Sequence, residues 1–302
     1  MRDHGGCDGP RGRPAVERLV TFSPVCIGTL LSHLTTVTPS KTGRAVGMSL
    51  LVLALTSAPG CATTAAGSAP HRRPTVVLFG DSLSVQAGPY FDRMVESETH
   101  ARVTDHVYGG TALCDWLPTM RKVASTHPDV AVLEFIGNTF TPCMEGCPYG
   151  SQSAVERYCS DMDLALGYFL PAKIHVFLVG TPITYEEWVS KDKDWDNLNK
   201  AFSELAAEHP KLVTFVNAGA AVEGPRRSFT WTLPCLKHEP CTGPVVNGVR
   251  SNVVRAPDGI HFCPWSEQGC STYSSGAFRF GSAMAAPVIK VLEHWSCNSC
   301  RL

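Results

Sequence analysis

The sequence has no surplus of charge of either sign: 26 Lys and Arg stand against 27 Asp and Glu in 302 residues. Without a basic excess there is no electrostatic footprint for a polyanion, and nucleic acid is not an expected partner. No internal repeat or low-complexity domain is present, and no apolar run reaches the roughly 20 residues that a comfortable transmembrane helix needs. The thirteen cysteines do not gather into two zinc-spaced pairs. A Gly-x-Ser-x-Gly elbow is also missing, which argues against an α/β-hydrolase fold.

Scattered cysteines in such number favour an oxidising compartment, so the N-terminus is where an export signal belongs. Lys41 and Arg44 precede the apolar stretch Val46–Leu55, and Thr56–Ala62 after it is small-residue rich. That is the order of a secretory signal. Gly60-Cys61 also resembles a bacterial lipoprotein site, with Cys61 as the lipidated mature N-terminus and a membrane attachment point, although Ala58 and Pro59 match it poorly. Residues 1–74 are therefore expected to be leader, signal peptide and tether, and 75–302 the functional domain.

Removing the leader takes away Cys7 and Cys26, and Cys61 is the lipid candidate. Ten cysteines remain, an even number that suits a disulfide framework. Short separations make Cys143/Cys147, Cys235/Cys241 and Cys263/Cys270 plausible local staples. Cys297-Asn-Ser-Cys300 reads as a structural tie rather than a redox pair or half a zinc site.

After the tether, strand-like and helix-like stretches alternate. Strands are predicted at 76–79, 103–107, 130–136, 174–179 and 212–216, and helices at 90–97, 113–125, 154–170, 198–207 and 275–294. Val76-Val-Leu-Phe79 carries no polar alternation, which is how a strand buried on both faces of a parallel sheet reads. Such alternation predicts a three-layer α/β/α sandwich around a five-stranded, mostly parallel sheet in flavodoxin-like order. Ala220–Ala256 breaks the rhythm and reads as a long excursion pinned by disulfides.

The strand at 76–79 ends in Gly80-Asp81-Ser82-Leu83. Open α/β sheets build their sites at this carboxyl edge, so Ser82 is a candidate nucleophile; taken alone, the tripeptide is equally an ordinary turn with an N-capping serine. A serine hydroxyl needs a base, and one of the eleven histidines has the right company. In Pro257-Asp-Gly-Ile-His-Phe262, Asp258 stands three residues before His261 with a glycine between them, so one loop supplies both base and orienting carboxylate.

These two blocks, at opposite ends of the domain, resemble the SGNH superfamily, also called GDSL hydrolases. The Gly block is matched more loosely by Tyr108-Gly-Gly-Thr-Ala112, with the role carried to Gly110 and Gly109 as fallback. The Asn block is Ile136-Gly-Asn-Thr139, which keeps Asn138 but replaces the usual first glycine and final aspartate. The resemblance implies an exported serine esterase of bacterial type with Ser82, His261 and Asp258 as triad. The Ser82 and Gly110 N–H groups and the Asn138 amide then form the oxyanion hole, with no metal or cofactor. Small esters, lipids or acylated glycans are the implied substrates, and an O-acyltransferase or deacetylase acting on envelope polysaccharide is the alternative. A Cys114/Cys143 bond, competing with Cys143/Cys147, would brace both oxyanion loops. Trp116, Trp188, Trp195, Trp231 and Trp265 are expected to pack under loops rather than to form a sugar platform.

Overall fold

The structure is a computed structural model and describes residues 72–190 and 194–299. The signal-peptide reading, the Cys61 lipid site and Cys300 lie outside the described residues. Five strands form one parallel sheet: β1 (Thr75–Gly80), β2 (Arg102–Val107), β3 (Val130–Glu134), β4 (His175–Val179) and β5 (Val213–Val216). Their spatial order is β2-β1-β3-β4-β5, the flavodoxin order, and every pair in it is parallel. The expectation of a mostly parallel sheet is thus met by one that is wholly parallel.

Alternate residues of each central strand feed opposite faces. Val77, Phe79, Leu133 and Leu178 pack under α2 (Leu113–Ala124), α3 (Gln152–Phe169) and α5 (Asp194–Glu208). Val76, Leu78, Val132 and Phe177 pack under α1 (Ser82–Thr99) and α6 (Ser275–Ser299). Leu78, Phe79, Val132, Leu133 and Phe177 are completely buried, each worth about 1.5–3 kcal/mol of transfer free energy. The edge strand β2, Arg-Val-Thr-Asp-His-Val, is more polar and more exposed, as an edge tolerates. Among the described residues no helix is long and apolar enough to cross a membrane.

Three differences from the sequence reading have physical causes. First, α1 begins at Ser82, eight residues before the predicted Tyr90, because Asp81 caps it and Pro89 sits inside the helix without ending it. Second, a short helix, α4 (Tyr185–Ser190), lies in a stretch read as loop.

Third, the excursion at 220–256 is not an irregular loop. It holds an antiparallel ribbon in the order β6-β8-β7, made of β6 (Thr232–Pro234), β7 (Val245–Val246) and β8 (Val249–Val253). Its tip, Val246-Asn-Gly-Val249, has Asn247 at φ 50° and Gly248 at φ 79°, the left-handed pair that joins two strands tightly.

The ribbon is tied to α6 by a buried ion pair. Arg279 bonds both carboxylate oxygens of Glu239 and donates to the Pro234 carbonyl at 2.6 Å. Ser275 and Tyr273 donate to the same carboxylate at 2.8 and 3.1 Å, and Cys235–Cys241 closes the adjoining loop. Burial alone would raise the Glu239 carboxyl, but hydrogen bonds from Arg279, the Leu236 N–H and the Ser275 hydroxyl outweigh it and pull it down to about 2.

Because this group is lowered on folding, its stabilisation is complete above the ordinary glutamate value and is lost as pH falls toward about 2. Arg279→Ala leaves the buried carboxylate unpaired and is expected to cost about 3–5 kcal/mol at neutral pH. The deficit relative to wild type should shrink on acidification, which thermal melts from pH 7 to 3 will measure.

Candidate active site

At the carboxyl end of β1 each residue of Gly80-Asp-Ser-Leu-Ser84 has a distinct task. Leu83 is fully buried in the α1–α6 core. The Ser84 hydroxyl donates to Glu134 Oε2, at the end of β3, at 2.7 Å. A Cβ at residue 80 would collide with that hydroxyl, so only glycine lets Ser84 reach the acid. Glu134 is completely buried. Burial first and the neighbouring Asp81 second push its carboxyl well up, against the Ser84 hydroxyl and the Ser84 and Asp81 N–H groups, which pull it back.

Asp81 is equally buried and takes three N–H donors from two elements. Oδ1 accepts from Leu83 N at 3.1 Å and so caps α1; Oδ2 accepts from Ile136 N at 2.8 Å and from Asn138 Nδ2 at 3.1 Å. Burial raises the Asp81 carboxyl to about 7, and the Ile136 and Leu83 N–H groups work against that rise. Both carboxyls of the buried pair are pushed up, and with three N–H donors aimed at it Asp81 is the better placed of the two to hold a negative charge.

Ser82, the first residue of α1, is 6% exposed. At the other end of the domain, the Asp258 carboxylate accepts from Ile260 N and His261 N at 2.9 and 3.0 Å. Its Oδ2 lies 2.8 Å from His261 Nδ1. Partial burial raises the Asp258 carboxyl, but the hydrogen bonds from the Ile260 N–H, the His261 ring and the His261 N–H outweigh it, so the net shift is downward. With Nδ1–H turned to Asp258, Nε2 is the basic nitrogen. Among the described residues no hydrogen bond joins Ser82 to His261. Their loops are joined instead through Gln86, one turn along α1, which bonds Phe262 and Cys263.

The loop after β2 carries Gly109 and Gly110, glycines for different reasons. Gly110 has φ 76°, a left-handed conformation, and a Cβ on Gly109 would strike the indole of Trp265. That indole lies 5.2 Å from the His261 ring, so Trp265 spans the gap between His261 and the Gly109–Gly110 loop.

Asn138 is 8% exposed; its amide donates to Asp81 and, at 3.2 Å, to the Thr111 carbonyl, while Tyr158 Oη donates to its backbone carbonyl at 2.9 Å. Both amide hydrogens are engaged. Serving an oxyanion would redirect the one on Thr111, the longer of the two bonds. A disulfide between Cys114 and Cys143 ties the helix after the Gly loop to the segment after Asn138. Of the two pairings open to Cys143, the long-range one forms.

Cys235–Cys241 and Cys263–Cys270 pair as the spacing suggested. The Cys114, Asp115 and Cys143 cluster has both sulfurs consumed by the disulfide and offers no thiolate to a metal.

Tryptophans depart from expectation. Trp116 packs against Phe79 and donates to Thr111 Oγ1, but Trp188, Trp231 and Trp265 are 47%, 41% and 43% exposed; Trp195 is outside the residues whose side chains are described. Tyr185, Phe229 and Trp231 cluster beside the Asp258 turn, where the Tyr185 N–H donates to the Gly259 carbonyl at 3.0 Å. A small recess lined by Ile136, Gly137, Ala154, Tyr158 and Leu198 opens beside the segment that leads to Asn138. Asp81, Gln86 and Glu134 were not singled out in the sequence. For Asp81 the signal was there, since a short acid between a buried strand and a helix is an N-cap.

The family model described as "Protein of unknown function (DUF459)" matches residues 75–269. No curated protein matches the sequence. Among solved structures, a lipase/acylhydrolase from Enterococcus faecalis is 15% identical, with 72% of this chain and 96% of that one covered at a TM-score of 0.50. The catalytic domain of peptidoglycan O-acetyltransferase A from Streptococcus pneumoniae is 17% identical, with 74% and 96% covered at a TM-score of 0.46. At such identities the likeness to the acylhydrolase is one of fold.

Because burial and the neighbouring Asp81 push the Glu134 carboxyl up and so favour its neutral form, Glu134→Gln, which keeps the acceptor for Ser84, is expected to fold. A raised carboxyl costs stability as pH climbs above its ordinary value of about 4.3, because the unfolded chain releases the proton first. The variant escapes that cost, so its melting temperature should gain on wild type as pH rises from 5 to 9. Glu134→Ala, which strips Ser84 of its acceptor, should lose about 1–3 kcal/mol.

Proposed function

The chain belongs to the DUF459 family, and from that premise we propose that it is a serine esterase acting on short-chain acyl or acetyl esters. The observation that carries the reading is the 2.8 Å contact between Asp258 and His261 Nδ1. It leaves Nε2 basic, on a loop hydrogen-bonded to the helix that Ser82 begins. The fold shared with an Enterococcus lipase/acylhydrolase supports the same chemistry.

In the proposed reaction the Ser82 hydroxyl attacks the ester carbonyl while His261 Nε2 takes its proton and Asp258 stabilises the imidazolium. The developing oxyanion receives the Ser82 and Gly110 N–H groups, neither of which donates to another group among the described residues, and the Asn138 amide. Each such donor is typically worth about 10²–10³ in kcat. Collapse expels the alcohol, which takes the proton back from His261. Water, activated by the same imidazole, then releases the acid and restores Ser82.

The exposed rings of Trp231, Trp265 and Tyr185 around this centre favour an acylated glycan as the ester, since flat amphipathic faces suit the apolar side of a sugar ring. The same triad would serve an O-acyltransferase if a glycan hydroxyl replaced water. Export is part of the proposal, and it rests on disulfide-bonded cysteines in the domain and on the leader-like composition before it.

Ser82→Ala should cut release of p-nitrophenol from p-nitrophenyl acetate by about 10³-fold or more and abolish labelling by a fluorophosphonate probe, with an unchanged melting temperature. Unaltered turnover would remove Ser82 from the mechanism. With an acetyl donor and a glycan acceptor together, acetate as the main product marks a hydrolase and acetylated glycan a transferase.

A further inference from the structure

Resting on the esterase reading, we propose that Gln86 is a positioning residue that sets the distance between Ser82 and His261. Gln86 sits one turn after Ser82 on α1 and is 1% exposed. Its carboxamide is used from both ends: Oε1 accepts from Phe262 N at 2.7 Å, and Nε2 donates to the Cys263 carbonyl at 3.0 Å. These are the residues that follow His261 directly. A buried amide paired with a peptide strand in this way behaves as a strand neighbour would, holding the loop at one height above the helix.

The surrounding contacts converge on the same clamp. Phe262 is buried against Phe280, and its carbonyl accepts from Ser274 Oγ at 2.8 Å. The loop beyond is closed by Cys263–Cys270, and its Gly269 lies so close to the Val85 carbonyl that a Cβ there would come within 2.7 Å of it. Ala256 N donates to the His261 carbonyl at 2.7 Å. Asp258 orients the imidazole from within its own loop but makes no bond to α1. Gln86 does join the two: it belongs to the serine's helix and bonds the two residues that follow His261, while among the described residues no direct hydrogen bond joins Ser82 and His261.

Two variants test this against wild type, with Ser82→Ala as the control. Gln86→Met keeps the volume and removes both bonds. It is expected to lower kcat by about 10- to 100-fold, the scale of a roughly 1 Å misplacement, with KM for p-nitrophenyl acetate within about twofold and a parallel fall in the rate of fluorophosphonate labelling. Gln86→Glu keeps the acceptor for Phe262 but faces the Cys263 carbonyl with an oxygen that donates only when protonated. Its kcat relative to wild type should therefore rise toward one as pH falls from 8 to 5. Asp81, Glu134, Asp258 and His261 are present in both proteins, so the ratio reads what residue 86 changes, and a charge there that raised the His261 imidazole would move the ratio the opposite way, downward as pH falls.

A folded Gln86→Met enzyme with wild-type kcat overturns the proposal, as does a Gln86→Glu ratio that is flat with pH. The second criterion decides the matter if the Met variant does not fold. If the probe labels wild type no better than Ser82→Ala, the esterase reading itself fails and the positioning role falls with it. Labelled wild type with unimpaired Gln86 variants sinks only the positioning role.

Discussion

The geometry of the whole site depends on one buried carboxylate. Asp81 sits where a parallel strand gives way to a helix, out of reach of water, and holds the Leu83, Ile136 and Asn138 N–H groups at once. Desolvation alone would keep such a group neutral, and only the converging donors make its ionised form tolerable. One interaction therefore starts the helix that begins with Ser82, ends the β3 connection in a fixed place and aims the Asn138 amide. Glu134, against the same turn, has its carboxyl pushed up by burial and by Asp81, which disfavours two charges in one dry space.

On this base the rest is fastened from outside. The Gly loop and the Asn loop arise from different strands, and Cys114–Cys143 makes them one piece. The His261 loop arrives from the far end of the sequence and is held by Gln86, by Ser274 and by the Cys263–Cys270 closure. The antiparallel ribbon between β5 and that loop is secured to α6 through Arg279 and Glu239. The parallel sheet supplies a common edge, and disulfides and buried polar pairs fasten three loops at that edge. A domain with this division of labour is suited to a place where disulfides persist.

The central sheet was legible because its strands are continuous apolar runs, and a strand buried on both faces has no other way to read. The start of α1 was not, since Ser-Leu-Ser-Val-Gln-Ala-Gly-Pro lacks apolar periodicity and carries a proline; the helix exists because Asp81 caps it and α6 covers it. The ribbon was missed although Asn247-Gly248 is a strong hairpin signal, because the strands around it are too short to show alternation. Ser82, Asp258 and His261 were singled out as chemical types in a spacing, and the Asp258–His261 contact is present. Gln86 was invisible, for its role is defined only by a partner 176 residues away. The exposure of Trp188, on the short helix α4, and of Trp231 and Trp265 likewise depends on which side of each segment faces the core, which no local pattern records.

The fit of Ser84 into the space above Gly80, with Glu134 behind it, also bears on how such a sequence is able to change. A side chain at 80 displaces the Ser84 hydroxyl, and loss of that hydroxyl leaves the acid at 134 without its donor. The three positions, drawn from a strand end, a helix and a neighbouring strand, form a unit whose substitution energies are not additive. A change at one member of this trio alters what the other two tolerate, and the few letters around the serine are held in place by packing as well as by their polar contacts.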